Sequence, residues 1–257
     1  MPEINAPYAP GTPCWIDLMA ADQAAAMGFY GDLFGWEGEV GPEEFGGYAL
    51  MTKNGRSVAG IGPKMGPDMP HVWTTYLATD DAYQTAEAVT AAGGAILAPP
   101  MDVGTLGTMC VAADPAGAVF GFWGHKDFYG ATLVNEDGAL IWNECNTRDV
   151  AASAAFLDAV FGIDVKPFPG TDSYKMLTVN GSVVGGVQDM AANFPAEASP
   201  HWLAWIAVDD PDESVDRAVK AGSTVLMPPT DMPGTGRLAC IADPWGAPLG
   251  VMKSAKP

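Results

Sequence analysis

Residues 13–37, PCWIDLMAADQAAAMGFYGDLFGWE, return 127 positions later as residues 140–164, LIWNECNTRDVAASAAFLDAVFGID. Trp15 falls on Trp142, Asp22 on Asp149, Phe29 on Phe156, and Phe34-Gly35 on Phe161-Gly162. The correspondence then runs on through each half. YALMTKNGRSVAGI from Tyr48 answers YKMLTVNGSVVGGV from Tyr174, Pro99-Pro100 answers Pro228-Pro229, and Asp114-Pro115-x-Gly117 answers Asp243-Pro244-x-Gly246. The offset stays between 126 and 130 throughout. Self-similarity of this length means one unit, duplicated.

Each half opens with an apolar strand and an aspartate suited to cap a helix, Asp22 and Asp149, followed by apolar residues at helical spacing. Gly35 and Gly162 stand where a glycine C-cap ends such a helix. Asn54-Gly55 and Asn180-Gly181 predict tight hairpins, because Asn and Gly accept positive φ. A further strand (72–78; 202–208), an Asp-Asp helix start (82–92; 211–221) and two or three strands complete each half. The order β-α-β-β-β occurs twice per half. Short helices spaced among hairpins predict an α+β fold and argue against a doubly wound sheet. Domains are expected at 10–125 and 138–253, with residues 126–137 as the linker.

The 257 residues hold 12 Lys and Arg against 31 Asp and Glu, a formal charge of −19. Such a surface repels phosphate backbones and anionic bilayers, so neither nucleic acid nor membrane is an expected partner. Composition is globular, with 48% hydrophobic and 17% charged residues. The segment MPEINAPYAPGTPCW lacks a basic stretch followed by an apolar run, and no later stretch approaches about 20 apolar residues. The expected location is cytoplasmic. Cys14, Cys110, Cys145 and Cys240 lie far apart without a C-x-x-C spacing, and are read as reduced, mostly buried thiols.

The helix residues Phe29-Tyr30 with Leu33-Phe34-Gly35, their echo Phe156-Leu157 with Val160-Phe161-Gly162, and the two Asp-Pro-x-Gly turns resemble the vicinal oxygen chelate superfamily. That superfamily includes glyoxalase I, extradiol dioxygenases, and fosfomycin- and bleomycin-resistance proteins. The resemblance covers nearly the whole chain and implies two tandem glyoxalase-like domains, each pairing two βαβββ modules in a curled sheet around a cleft. More narrowly, the PCWIDL opening and tandem format resemble actinobacterial glyoxalase-like or hydroxylase-labelled proteins, some of which accompany polyketide and anthracycline pathways.

The resemblance also implies positions for His and Glu ligands of a divalent metal, and each can be checked. The first-strand ligand falls at Trp15 and Trp142. The next falls within 58–61 and 184–187, which carry no donor side chain. The third falls near Thr74 and Leu203, and the last at Gly121 and Gly250. A register error would admit His201, two positions before Leu203 and on the same strand face. One imidazole is too little for a catalytic ion, which normally takes three protein ligands. The expectation is therefore no metal and no other cofactor.

Strand alternation puts Asp17 on the face of Trp15, and Glu144 on the face of Trp142. A carboxyl walled by indoles loses hydration, its pKa rises, and it becomes suited to acid-base work near neutral pH. Asp17 and Glu144 are thus the candidate catalytic residues, with ligand hydrogen bonding and a capping role as the other readings. Trp73, Tyr76, Trp123, Trp202 and Trp205, with Met109, Met227 and Met232, are read as flat polarisable cleft walls, against the alternative of core packing. Gly121 and Gly250 are expected to leave room for a guest, and His201 to stand at a cleft mouth. The glycine-rich stretches 101–107 and 230–236 are read as gate loops.

Three functions remain open. The first is a metal-independent enzyme on a hydrophobic, oxygen-rich small molecule, such as a hydroxylase-type tailoring enzyme of aromatic polyketide or antibiotic metabolism. The second is a non-catalytic binding or drug-resistance protein for such a ligand. The third is a glyoxalase-like lyase on 2-oxoaldehyde adducts, which demands the metal. In each case the partner is a small hydrophobic or aromatic ligand, and the chain is expected to be a monomer with an internal pseudo-dimer, or a homodimer.

Overall fold

The computed structural model describes residues 4–66, 69–191 and 193–255. Residues 1–3, at the start of the segment inspected for a signal, lie outside it. Four modules follow in order, three of them βαβββ and the first βαββ, because the strand expected after its helix is reduced to a single bridge, Glu37 to Thr52. The first has β1 (Pro13–Ala20), α1 (Gln23–Phe34), β2 (Ala49–Lys53) and β3 (Arg56–Pro63). The second has β4 (Trp73–Thr79), α2 (Ala82–Ala91), β5 (Ala95–Val103), β6 (Gly107–Ala113) and β7 (Val119–His125). The third has β8 (Leu140–Thr147), α3 (Val150–Phe161), β9 (Asp164–Pro167), β10 (Tyr174–Val179) and β11 (Ser182–Asp189). The fourth has β12 (His201–Ala207), α4 (Pro211–Lys220), β13 (Thr224–Met232), β14 (Gly236–Ala242) and β15 (Pro248–Ser254). The fold is α+β, and each lobe is a curled sheet built from two modules.

The caps behave as their chemistry requires. The Asp22 and Asp149 side chains accept from the backbone N–H three residues on, and Gly35 and Gly162 close their helices in the left-handed conformation. In the first lobe β1 pairs antiparallel with β4, parallel with β3, and β4 pairs parallel with β7. The second lobe repeats this with β8, β12, β11 and β15. The lobes' sheets touch at one parallel bridge, Val119 to His201. No described helix is long and apolar enough to cross a membrane.

Each helix packs on the sheet of its own lobe and meets a helix of the other lobe. α1 lies against α4, where Arg217 Nη2 donates to the Leu33 carbonyl (3.1 Å), and α2 lies against α3. The apolar cores are accordingly shared, one holding Tyr30 and Phe34 with Val215 and Ile241, the other Phe120 and Phe122 with Phe156 and Leu157. The two Asp-Pro-x-Gly turns lock this arrangement reciprocally. Asp114 accepts from Ala118 N in its own turn (2.8 Å) and from Ser153 Oγ of α3 (2.6 Å). Asp243 accepts from Ala247 N (2.8 Å) and from Tyr30 Oη of α1 (2.9 Å), while His71 Nε2 lies 2.8 Å from the same carboxylate. Thr75 Oγ1 donates to Asn143 Oδ1 at the central seam (2.8 Å).

The stretch 126–139 has no helix or strand of its own and folds back on the first lobe. Ala131 N donates to the Cys14 carbonyl (2.8 Å) and Thr132 N to the Ser57 carbonyl (2.9 Å). A buried carboxylate stripped of its charged and neutral donors costs several kilocalories, as does deleting it and orphaning the donors. Asp243→Ala is therefore expected to lower unfolding free energy by about 3 kcal/mol in urea titrations. A loss below about 1 kcal/mol would remove the turn from the interface that holds the lobes together.

Candidate functional site

Cross-strand register defines the two cleft floors. In the first lobe Trp15 stands opposite Tyr76, Asp17 opposite Thr74 on one side and Gly60 on the other, and Tyr76 opposite Gly121. In the second, Trp142 stands opposite Trp205, Glu144 opposite Leu203 and Gly186, and Trp205 opposite Gly250. Residues directly opposite share a face, so each floor carries an indole, a carboxyl and a second ring in the same order.

Four glycines make room for those rings. A Cβ on Gly121 would overlap the ring of Tyr76, and one on Gly250 the indole of Trp205. A Cβ on Gly60 would overlap the Tyr48 hydroxyl, and one on Gly186 that of Tyr174. This corrects the expectation for Gly121 and Gly250: the space they leave is filled by the neighbouring strand's ring and does not receive a guest. Two open depressions, of about 600 and 330 Å³, lie on the helix side along α1 and between α1 and α4. Neither contains a floor carboxyl.

A hydrogen-bond chain crosses each floor. Trp15 Nε1 donates to Tyr48 Oη (2.8 Å), which donates to Asp17 Oδ2 (3.3 Å), and the Tyr76 hydroxyl also reaches that carboxyl. Trp142 Nε1 donates to Tyr174 Oη (2.8 Å), whose hydroxyl reaches Glu144 beside the Asn146 amide. Burial pushes Asp17 up to about 7, against hydrogen bonds from Tyr76 and Tyr48 that hold it lower. Glu144 is likewise pushed up to about 7 by desolvation, with Tyr174 and Asn146 opposing. Each carboxyl thus divides between acid and base near neutral pH, the condition for proton transfer in either direction. Asp22 and Asp149 already cap the helices, so neither floor carboxyl serves as a cap.

The other candidates fall into two groups. Trp15, Tyr76 and Trp123 line the first cleft; Trp142, Trp205 and Met227 line the second, joined by Met109 in the first. His201 shares the second floor, opposite Asn146, with Nδ1 2.9 Å from the Ser199 carbonyl. Trp73 and Trp202 are placed elsewhere, one strand position out of phase with the clefts. Trp73 Nε1 donates to Tyr30 Oη (2.9 Å) in the helix-side core, and Trp202 packs near Phe120 (centroids 6.5 Å). Met232 is exposed near a hairpin end. The glycine-rich stretches are the tips of the β5–β6 and β13–β14 hairpins. Burial raises all four thiols, Cys110 to about 11 and Cys240 to about 12, which keeps them protonated at neutral pH.

Tyr48 and Tyr174 are the floor residues that strand counting passed over. Their signal was present, since they recur 126 positions apart with Gly60 and Gly186 at matching distance after them.

The matching family model is the Glyoxalase/Bleomycin resistance protein/Dioxygenase superfamily, over residues 14–122 and again over 142–251. The chain belongs to this superfamily. CFP32 of Mycobacterium tuberculosis, provisionally named a glyoxylase, is 40% identical, with 96% of this chain and 97% of that protein aligned. The anthracycline biosynthesis protein DnrV of Streptomyces peucetius is 36% identical, over 96% of this chain and 94% of that protein. The fold is similar to a Mn(II)-bound glyoxalase from Novosphingobium aromaticivorans (TM-score 0.65, 15% identity, 96% of this chain and 84% of that one). It is also similar to the 2,3-dioxygenase LapB from Pseudomonas sp. KL28 (TM-score 0.62, 14% identity, 98% and 95% covered).

A metal is the group this fold family implies, and the residues present do not fit one. Register narrows the second ligand position to Gly60 and Gly186, so the expected set reads Trp15, Gly60, Thr74, Gly121 and Trp142, Gly186, Leu203, Gly250. Indole, glycine and leucine offer no donor, the Thr74 hydroxyl alone cannot hold a divalent ion, and among the described residues no three His, Cys, Asp or Glu side chains converge.

Two measurements test this geometry. If Tyr174 fills the space over Gly186, the Gly186→Ala change costs about 2 kcal/mol in the parent and little in a Tyr174→Ala background, a coupling read from a double-mutant cycle. Additive effects would contradict the packing. For Asp17 the folded-state pKa lies above the unfolded one, so the folded protein binds the extra proton. Stability from this group is complete below about pH 4 and falls as pH rises toward 7, by at most about 4 kcal/mol. Asp17→Asn is expected to flatten that slope in denaturation midpoints measured from pH 4 to 8; an unchanged slope would place the titration elsewhere.

Proposed function

We propose that this protein works without a metal on a hydrophobic, oxygen-rich small molecule, using a floor carboxyl to give or take a proton. The observation that carries this reading is the repeated floor itself: a carboxyl raised to about 7, tied through a tyrosine hydroxyl to an indole, at positions where ligand-bearing strands would hold an ion. A neutral acid in an aromatic wall is suited to protonating an enolate or phenolate oxygen, or, once ionised, to removing an acidic C–H or O–H proton. The name of DnrV is consistent with a tailoring role in aromatic antibiotic metabolism, since anthracyclines are planar, polyoxygenated ring systems. A lyase acting on 2-oxoaldehyde adducts would need His or carboxylate ligands at the eight positions, where this chain offers only the Thr74 hydroxyl.

A second reading has its own support. Asp17 is 5% exposed, and the first cleft is closed by its own side chains, an arrangement that serves packing and binding better than turnover. A non-catalytic binder of the same ligand class would keep the floor and dispense with proton transfer. Under either reading the shared cores between the lobes replace the contacts of a dimer, so the protein acts as a monomer.

Tryptophan quenching by 1,8-dihydroxyanthraquinone tests for the cleft, and turnover of hydroxyanthraquinone and anthrone substrates, followed by mass spectrometry, tests for chemistry. At least one of Asp17→Asn and Glu144→Gln is expected to cut turnover about 100-fold or more while affinity stays within about threefold. The rate should titrate with an apparent pKa near 7. Quenching without turnover in the parent protein would favour the binding reading, and an unaffected rate in both variants would end the carboxyl mechanism.

A further inference from the structure

The two floors repeat, but what covers them does not. In the first lobe the chain after β7 turns back so that Phe128 stands edge-on to Trp15 (centroids 5.0 Å, interplanar 89°) and beside Trp123 (6.1 Å). The Phe128 carbonyl accepts from Trp123 Nε1 (2.6 Å), and Tyr8, bonded to the Ala131 carbonyl (2.6 Å), joins the same cluster. At the rim Phe45 packs against the hairpin tip at Gly104. Trp15 and Asp17 are sealed beneath these groups.

In the second lobe the described rings take other places, Phe168 edge-on to Tyr174 (5.6 Å) and Phe194 to His201 (5.7 Å). Among the described residues no aromatic ring packs on Trp142, and the hairpin tip at Gly234 has open space around it. Trp142 and Glu144 are half-buried where Trp15 and Asp17 are buried. Each floor also carries a buried polar atom without a partner, and the two differ in kind. In the second lobe it is a donor, Nε1 of Trp205, which is 6% exposed, and in the first an acceptor, Oδ1 of Asp17. A buried donor left unpaired is a cost that a guest's acceptor removes. In the first lobe the matching ring is the phenol of Tyr76, which brings no indole donor.

We propose that the second lobe is the ligand site, and that Phe128 shows in the first lobe how a guest ring sits. The ligand is a planar aromatic ring bearing a carbonyl or phenolic oxygen. Its ring packs edge-on against Trp142 as Phe128 packs against Trp15, and its oxygen accepts from Trp205 Nε1. Glu144 is then the carboxyl within reach of the guest, and Asp17 belongs to a lobe that has filled its own cleft. This assignment rests on reading the clefts as small-molecule sites.

The test reads individual indoles in the unaltered protein. Indole N–H signals, assigned by triple-resonance spectra, are followed as 1,8-dihydroxyanthraquinone is added. One equivalent is expected to bind, shifting Trp142 and Trp205 while Trp15 and Trp123 stay in place. Trp142→Leu should weaken binding about 10-fold or more, and Trp205→Phe, which removes the indole donor, about fivefold. Shifts at Trp15 and Trp123, alone or together with the second pair, would overturn the lobe assignment and leave the wider reading standing. No binding of the probe at millimolar concentration would overturn both.

Discussion

The arrangement on which the rest depends is a glycine set across from an aromatic ring on the floor of each curled sheet. Gly121 under Tyr76 and Gly250 under Trp205 occupy the positions from which a ligand side chain would project, and the ring of the adjacent strand lies down in the space released. Gly60 and Gly186 do the same for the hydroxyls of Tyr48 and Tyr174. The floor therefore becomes dry and aromatic. A carboxyl placed there, Asp17 or Glu144, loses hydration and keeps its proton to near neutrality, because tyrosine hydroxyls supply only part of what water supplied.

The duplication matters for the same reason. Curled sheets bury one face in the cleft and must cover the other, and here each lobe's helices cover their own sheet and meet the other lobe's helices, α1 with α4 and α2 with α3. Asp114 reaching Ser153 and Asp243 reaching Tyr30 are the two halves of one reciprocal contact, each anchored by its own turn amides. The two clefts differ in their cover. One lies beneath Phe128 and Tyr8, with Phe45 at the rim, while the other has a half-exposed indole and acid.

Much of this was legible in the residues. The 127-residue echo of Trp15, Asp22 and Phe34-Gly35 was enough for the paired-module fold, and alternation from Trp15 to Asp17 and from Trp142 to Glu144 placed each carboxyl on its floor. Alternation carried one step further also places Trp73 and Trp202 on the opposite face, since Tyr76 and Trp205 are three positions on. Aromatic density alone concealed that parity. Glycine at a ligand position reads as empty space in a sequence, whereas in a sheet the neighbouring strand decides what fills it. Tyr48 reaches the floor from the loop before a hairpin and Tyr174 from the first residue of one, where period-two counting has little purchase. The return of the 126–139 stretch over the first cleft depends on backbone bonds to Cys14 and Ser57 that no local pattern encodes.

Elemental analysis of the purified protein, after growth with Mn, Fe, Zn and Ni supplied and repeated after adding each ion and removing excess, bears most directly on the floor as described. Rings and glycines where donors would stand predict well under a tenth of an equivalent of any of these metals. A full equivalent that survives gel filtration, held by three side chains of either lobe, would contradict the account and return the protein to Lewis-acid chemistry.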